Sequence, residues 1–271
     1  MKIKAGSQNF VKQDTSAHWY QLMPDGSLRS RHEAGLKEAR VDHLYASPTS
    51  IEKDIRANPA LLRWIKNEIA KAFVNNPRLD HESDQLYAER IMLLADGVRD
   101  NAAIRGTAIH DAIEHDGCSD PFINQFYLAY KPWHDDNILE TLGSEVKMHD
   151  SRIGVAGTVD RIVQHKVHGL TILDYKTQRI SEGKKASFYD NFPRQLSFYA
   201  ECYKIKHGFR PRIMSVVIDS QNPSRPVEKL YTQEEQDTAY MEFLCHVWLF
   251  CNSKPMGGFW PVGKWKPSFN L

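Results

Sequence analysis

The sequence lacks a paired-cysteine signature. Its four cysteines, Cys118, Cys202, Cys245 and Cys251, form no CxxC pair, which argues against a disulfide framework or a cysteine metal site. Cys202 and Cys245 fall in helical patterns, where a buried free thiol is expected. No apolar run approaches the ~20 residues of a membrane span. Residues 1–10 are polar and carry no apolar secretory core, and no Arg-rich amphipathic transit segment follows Met1. The expectation is a cytoplasmic protein of a bacterium or phage-infected host, with no membrane partner. Charge of one sign is also missing, since the formal net charge is only +1 over 271 residues. Any affinity for nucleic acid must therefore come from a local basic surface, partly cancelled in the sum by acidic residues. There are no repeats and no low-complexity tracts.

What is present is a helical front half followed by a change of texture. Pro24-Asp25-Gly26 is a turn signal between two short extended runs, so a hairpin is expected there. Ser47-Pro48-Thr49-Ser50 reads as a helix start. Leu61, Leu62, Trp64, Ile65, Ile69 and Phe73 then recur at helical spacing, with Pro59 as a breaker near the start. Residues 82–115 carry a second apolar stripe at helical spacing, within which Gly97 and Gly106 weaken the case for one unbroken helix. From about residue 143 the pattern predicts strands over 143–149, 153–164 and 170–177, a helix over 189–207, a strand over 212–219 and a helix over 234–252. The tail, 257–271, predicts no regular element. It interleaves Trp260, Lys264, Trp265 and Lys266, as a surface that stacks on bases would. The expected fold is α/β: a mixed central sheet flanked by helices, with an N-terminal helical extension. Its parts are 1–142, 143–256 and the tail, packed as one compact domain.

Two segments carry the chemistry. In Gly157-Thr158-Val159-Asp160 a carboxylate interrupts a strand of small and β-branched residues. In Leu173-Asp174-Tyr175-Lys176-Thr177 an Asp and a Lys alternate around a tyrosine. Side chains at i and i+2 share a face of a strand, so Asp174 and Lys176 point one way while Leu173, Tyr175 and Thr177 point the other. If the strands pair through the turn near Gly169, Asp160 comes beside Asp174. Two close carboxylates repel, and one is driven toward protonation unless a cation intervenes. Mg²⁺ (or Mn²⁺) commonly takes one or two carboxylates, waters and substrate phosphate. Lys176 then orients or deprotonates water and offsets charge on the phosphate.

These segments resemble the core motif of the RecB-like branch of PD-(D/E)xK nucleases. Arg105-Gly106-Thr107-Ala108-Ile109-His110 resembles that branch's upstream Gly-x-x-x-His element, and Gln195-Leu196-Ser197-Phe198-Tyr199 its Gln-x-x-x-Tyr element. The layout is most similar to the mitochondrial genome maintenance exonuclease family and its phage and bacterial relatives, over roughly residues 45–250. The resemblance implies a metal-dependent DNA exonuclease acting on single strands or strand ends, with replication or recombination proteins as partners. It implies Lys176 as the catalytic lysine, and Asp160, Asp174 and the Tyr175 backbone carbonyl as metal ligands. His110 would bind a metal or position the scissile phosphate. Glu145, in Ser144-Glu145-Val146, would serve a second metal or position water. Gln195 and Tyr199, one helical turn apart, would hold the active-site strand or contact DNA, and Arg194, Arg105 and Thr177 complete the expected DNA contacts. A duplex-end exonuclease of the phage recombination type and a non-catalytic DNA-binding protein of the same fold are the alternatives. No cysteine precedes His110 and the later ones are wrongly spaced, so no iron–sulfur cluster is expected. Arg56, Arg63, Lys66 and Lys71 punctuate one helix and Lys184 and Lys185 a loop. Each set is either a solvated face or a guide for phosphate.

Overall fold

The computed structural model describes residues 19–55 and 59–253. The expectations for residues 1–10, Arg56 and the aromatic and basic tail lie outside those residues. The chain opens with a hairpin, β1 (Trp19–Leu22) and β2 (Leu28–Ser30). Gly26 takes the left-handed turn position at φ 82°, and the Asp25 carboxylate accepts the Ser27 N–H at 2.9 Å. α1 (Leu36–Val41), β3 (Tyr45–Ala46) and α2 (Pro48–Ile55) follow. Ser47 opens α2 by accepting the Ser50 N–H at 3.1 Å, with Pro48 at the first helical position, where its missing N–H loses no bond.

α3 (Pro59–Asn75) then doubles back onto α4 (Asp84–Glu114). Ser83 caps α4, and the helix runs 31 residues without a break. Gly97 and Gly106 do not break it, because one glycine per several turns lowers helix propensity by only ~1 kcal/mol. α5 (Pro121–Asn137) starts at an Asp120 cap whose carboxylate accepts the N–H groups of Phe122 and Ile123.

Next comes an antiparallel meander of β4 (Ile138–Asp150), β5 (Val155–His165) and β6 (Gly169–Gln178), turning at Gly169 with φ 71°. The boundary expected at residue 142 falls inside β4, and β1 to β3 join the same sheet, so the front half helps build the core. α6 (Asn191–His207) crosses over to β7 (Arg212–Asp219), which lies parallel to β6, and β8 (Val227–Leu230) and α7 (Gln233–Ser253) complete the chain.

The sheet has the order β2-β1-β3-β5-β6-β7-β8, with β4 along the other edge of β5. Helices cover both faces. On one face α4 and α5 bury Ile109, Ile113, Phe126 and Trp133 against Val163, Leu173, Tyr175 and Val216. On the other, α2, α6 and α7 bury Ile51, Leu196, Phe198 and Phe243 against Val155, Val159, Ile162 and Ile172. No helix among the described residues is long and apolar enough to cross a membrane.

Candidate active site

The pairing of β5 with β6 runs from His165↔Gly169 to Arg161↔Leu173 and stops there. β4 occupies the opposite edge of β5 along its whole length, so the short β3, which meets β5 at Val155, shares the β6 edge at its far end. Between these contacts β5 and β6 diverge, and Asp160 and Asp174 stand at the fork. Asp160 closes the ladder with its side chain: Oδ2 accepts the Tyr175 N–H at 2.7 Å, replacing a backbone carbonyl. Side-chain alternation in β5 slips at this residue. Val159 and Ile162 both pack in the α6 layer, while Arg161 between them reaches α4. Across from the slip, Glu145 in β4 adopts φ 50°, a conformation that non-glycine residues rarely hold away from functional or bulged sites.

Asp174 is only 3% exposed. Lys176 Nζ donates to its Oδ1 at 2.6 Å, and lies 3.5 Å from Gln195 Oε1 on α6 and over the Phe192 ring. Gln195 Nε2 donates in turn to the Tyr199 hydroxyl at 3.4 Å. Tyr199 is buried, and its phenol rests against Gly157, where a Cβ would stand 2.5 Å from the hydroxyl. Glycine at 157 therefore admits the tyrosine to the backbone of β5. On the other side of the strand the Tyr175 phenol shares a 2.7 Å hydrogen bond with Tyr130 inside the α5 layer, as the alternation requires.

His110 approaches from α4, edge-on to the Tyr175 ring at 6.3 Å between centroids. A Cβ at Gly106, one turn earlier, would lie 2.7 Å from Thr177 Oγ1, so the small residue lets α4 press onto β6. Arg161 holds the end of that helix, donating to the carbonyls of Ile113 and Glu114 at 2.6 and 3.3 Å. Its positive charge complements the negative pole of the helix.

Burial and neighbouring charges shift Asp174, Asp160, Glu145, Lys176 and His110. Burial raises the Asp174 carboxyl and Asp160 raises it further. Lys176 pulls the other way, and the group settles at about 6. Asp160 is raised by burial as well, against the pull of Lys176. Burial, Asp160, Glu114 and Asp111 push Glu145 up to about 7. Burial alone would lower Lys176, but the two aspartates hold its ammonium above the ordinary value. Burial and the Lys176 charge depress His110 to about 4, leaving a neutral ring with a free lone pair at neutral pH.

The expected residues therefore divide into groups. Asp160, Asp174, Lys176, Gln195 and Tyr199 are linked around the fork, with His110 and Glu145 flanking it. Thr177 packs under Gly106, and Arg105 lies over the Phe122 ring at 5.5 Å, half-buried. Arg194 requires a correction. Instead of facing a phosphate, it is 2% exposed and forked onto Glu52 at 3.0–3.1 Å, with Glu242 at 2.8 Å and His246 on the far side of Glu52. It ties α6 to α2 and α7 behind the fork. Glu114 and Asp111 were not anticipated, although Glu114 follows His110 by four residues, the spacing that puts two side chains on one helix face.

The fork fits a divalent cation. Asp174 is buried, and its two oxygens share a single ammonium, Lys176 Nζ at 2.6 Å from each. Burial raises both carboxyls despite the neighbouring Lys176, and a cation between them would favour their charged forms. Among the described residues no three His, Cys, Asp or Glu side chains converge as a ready-made cage. A hard cation held here would take the two carboxylates and a backbone carbonyl, with water and substrate oxygens completing its shell.

Residues 123–248 match the PD-(D/E)XK nuclease superfamily. The nuclease match spans α5 through most of α7, so the fork lies inside it, while α4 with His110 precedes it. No curated protein matches the sequence. A solved structure from Eubacterium rectale, provisionally named an exonuclease, is similar at 12% identity and TM-score 0.43. The match covers 84% of this chain and 88% of that one. So distant a likeness bears on neither substrate nor mechanism.

Proposed function

We propose that the protein is a Mg²⁺- or Mn²⁺-dependent deoxyribonuclease that degrades single-stranded DNA or DNA strand ends. The carrying observation is the fork of β5 and β6, where Asp160, Asp174 and the Lys176 ammonium meet in one buried patch. Asp160, Asp174 and the Tyr175 carbonyl would hold the cation, with neutral His110 as a further ligand or as a contact to the scissile phosphate. A bound cation would supply Lewis acidity at the phosphodiester and offset charge on the leaving oxygen. Lys176, kept protonated by the aspartates, would orient the attacking water and stabilise negative charge growing on the phosphate. Gln195 and Tyr199 would hold Lys176 and β5 in register, and Glu145 would position water or a second cation. A binding module gains nothing from two carboxylates aimed at a phosphate, which speaks against the non-catalytic alternative.

Strand ends and single strands are favoured by how deep the patch lies. The Asp174 side chain is 4% exposed and that of Lys176 25%, with Gln195 of α6 beside the ammonium. A patch so recessed suits an unpaired strand better than a duplex. The assay is cleavage of labelled linear and circular single-stranded DNA, and of linear duplex, with Mg²⁺ present and absent. The expected result is Mg²⁺-dependent loss of the linear single strand with the circle intact. Efficient cutting of the circle sinks the requirement for ends, and faster loss of duplex ends selects the recombination-type alternative. Inactivity on every DNA substrate, with Mg²⁺ or Mn²⁺, overturns the proposal.

A further inference from the structure

The α3–α4 hairpin is an arm that packs chiefly on itself. α3 meets α4, and only the last two turns of α4 are set against the sheet. Between residues 62 and 104 the arm bares ten large apolar side chains. The most open are Val74 (77%), Leu93 (72%), Leu79 (60%), Phe73 and Leu86 (57% each) and Ile104 (56%). Leu79, Leu86 and Leu93 follow one another at seven-residue spacing and line a groove at the hairpin tip together with Arg90 and Glu82. On α4, Leu86, Leu93, Gly97 and Ile104 repeat at intervals of seven, four and seven, a stripe of the kind that seams helices together. It lies well around the helix from Ile91 and Ala95, which the hairpin already buries.

Charge identifies the kind of partner. Residues 62–105 hold seven basic and seven acidic side chains. Most are satisfied locally: Lys71 by Glu68, Arg78 by Asp84, Arg90 by Glu82 and Arg99 by Asp96. A neutral, internally paired surface gives no purchase to a phosphate backbone, and none to a strongly charged protein. It does suit a second copy of itself, because two neutral arms meet without repulsion. The ten side chains bare on the order of 1,000 Å² summed over several faces of the hairpin, the scale of the ~800 Å² that each partner buries in a standard stable interface.

We propose that the arm is a homodimerisation surface, on which the α3–α4 hairpins of two copies pair about a two-fold axis into a four-helix bundle. The proposal does not depend on the nuclease reading. α4 nevertheless runs unbroken from the arm to His110, so the bundle would fix the helix that flanks the fork.

Sedimentation velocity of the full chain from ~1 to ~100 µM tests it, with the double variant Leu86→Glu/Leu93→Glu and the milder Leu86→Gln/Leu93→Gln alongside. The expected result is a wild-type dimer and a monomeric Glu variant whose circular dichroism and thermal midpoint match a folded chain, with the Gln variant dissociating at least tenfold more readily than wild type. A wild type monomeric at ~100 µM overturns the proposal, as does a dimer that survives both variants. If the wild type is monomeric and the variants instead lose affinity for a fluorescent single-stranded oligonucleotide, the arm is a nucleic-acid surface and the proposal falls.

Discussion

The two ends of α4 share one helix and one apolar periodicity, yet they live in different surroundings. From Gly106 to Ile113 the stripe is buried against β6 and α5, and each small residue has a reason, as Gly106 under Thr177 shows. From Leu86 to Ile104 much of the same kind of stripe is open to solvent, and Gly97 has nothing within 4 Å of where a Cβ would be. Helical spacing thus says that a face wants covering, not what covers it. At the C-terminal end the cover is the sheet and a chemically loaded fork. At the N-terminal end it is, on our proposal, a second arm.

The largest expected effect separates the fork from the arm outright. Lys176→Ala should lower single-turnover cleavage by ~10²–10⁴-fold, the range for losing a positioned catalytic group, while affinity for single-stranded DNA changes only a few-fold. Lys71→Ala, which removes an exposed partner of Glu68 on the arm, should leave the rate within a factor of two. Equal rates for wild type and Lys176→Ala would remove the fork from the mechanism.

Next is the core behind the fork. Arg194→Ala leaves Glu52 buried without its guanidinium, and chemical denaturation should show a loss of about 3–5 kcal/mol. A loss below 1 kcal/mol would mean that the Glu52–Arg194 pair does not hold α6 in place.

The two glycines of α4 sharpen the contrast directly. Gly106→Val forces α4 off Thr177 and should destabilise by about 1–3 kcal/mol, with cleavage falling more than tenfold as His110 moves. Gly97→Ala meets no atom of its own chain and should stabilise the isolated helix by up to ~1 kcal/mol, with cleavage unchanged. Melting curves that ranked the pair the other way would break the comparison.

The smallest effect is in pH. A carboxyl raised in the folded state favours the fold at low pH, and that contribution is lost as pH rises through the folded value. For Asp174 the loss lies between about 4 and about 6, and Glu145 extends it toward about 7. His110 has the opposite sign. Its folded value is depressed to about 4, so its contribution is present above the unfolded value near 6.5 and is lost as pH falls toward 4. The metal-free Asp174→Asn variant should therefore gain thermal stability relative to wild type as pH rises from 4 to 7. Mg²⁺ should stabilise wild type more at pH 7.5 than at pH 5, and the variant little at either. A wild-type-minus-variant midpoint that is flat with pH would contradict the raised Asp174.

The sequence by itself determined the alternation of Asp174 and Lys176, the β7 strand, the hairpin turn at Gly26 and the helical run through His110. Each depends on local period or turn chemistry, which the chain carries wherever it folds. Within the site it supplied the residue types and their order. The tertiary structure decided what they meet. It set Asp160 on the Tyr175 amide where two strands part, placed Tyr199 against Gly157, withdrew Arg194 into a buried pair with Glu52 and brought Glu114 toward Asp160 and Glu145. It also settled that the helix through Gly97 and Gly106 is unbroken. These are long-range distances and shared dielectric surroundings, set by packing between residues far apart in the chain, and no local pattern encodes them.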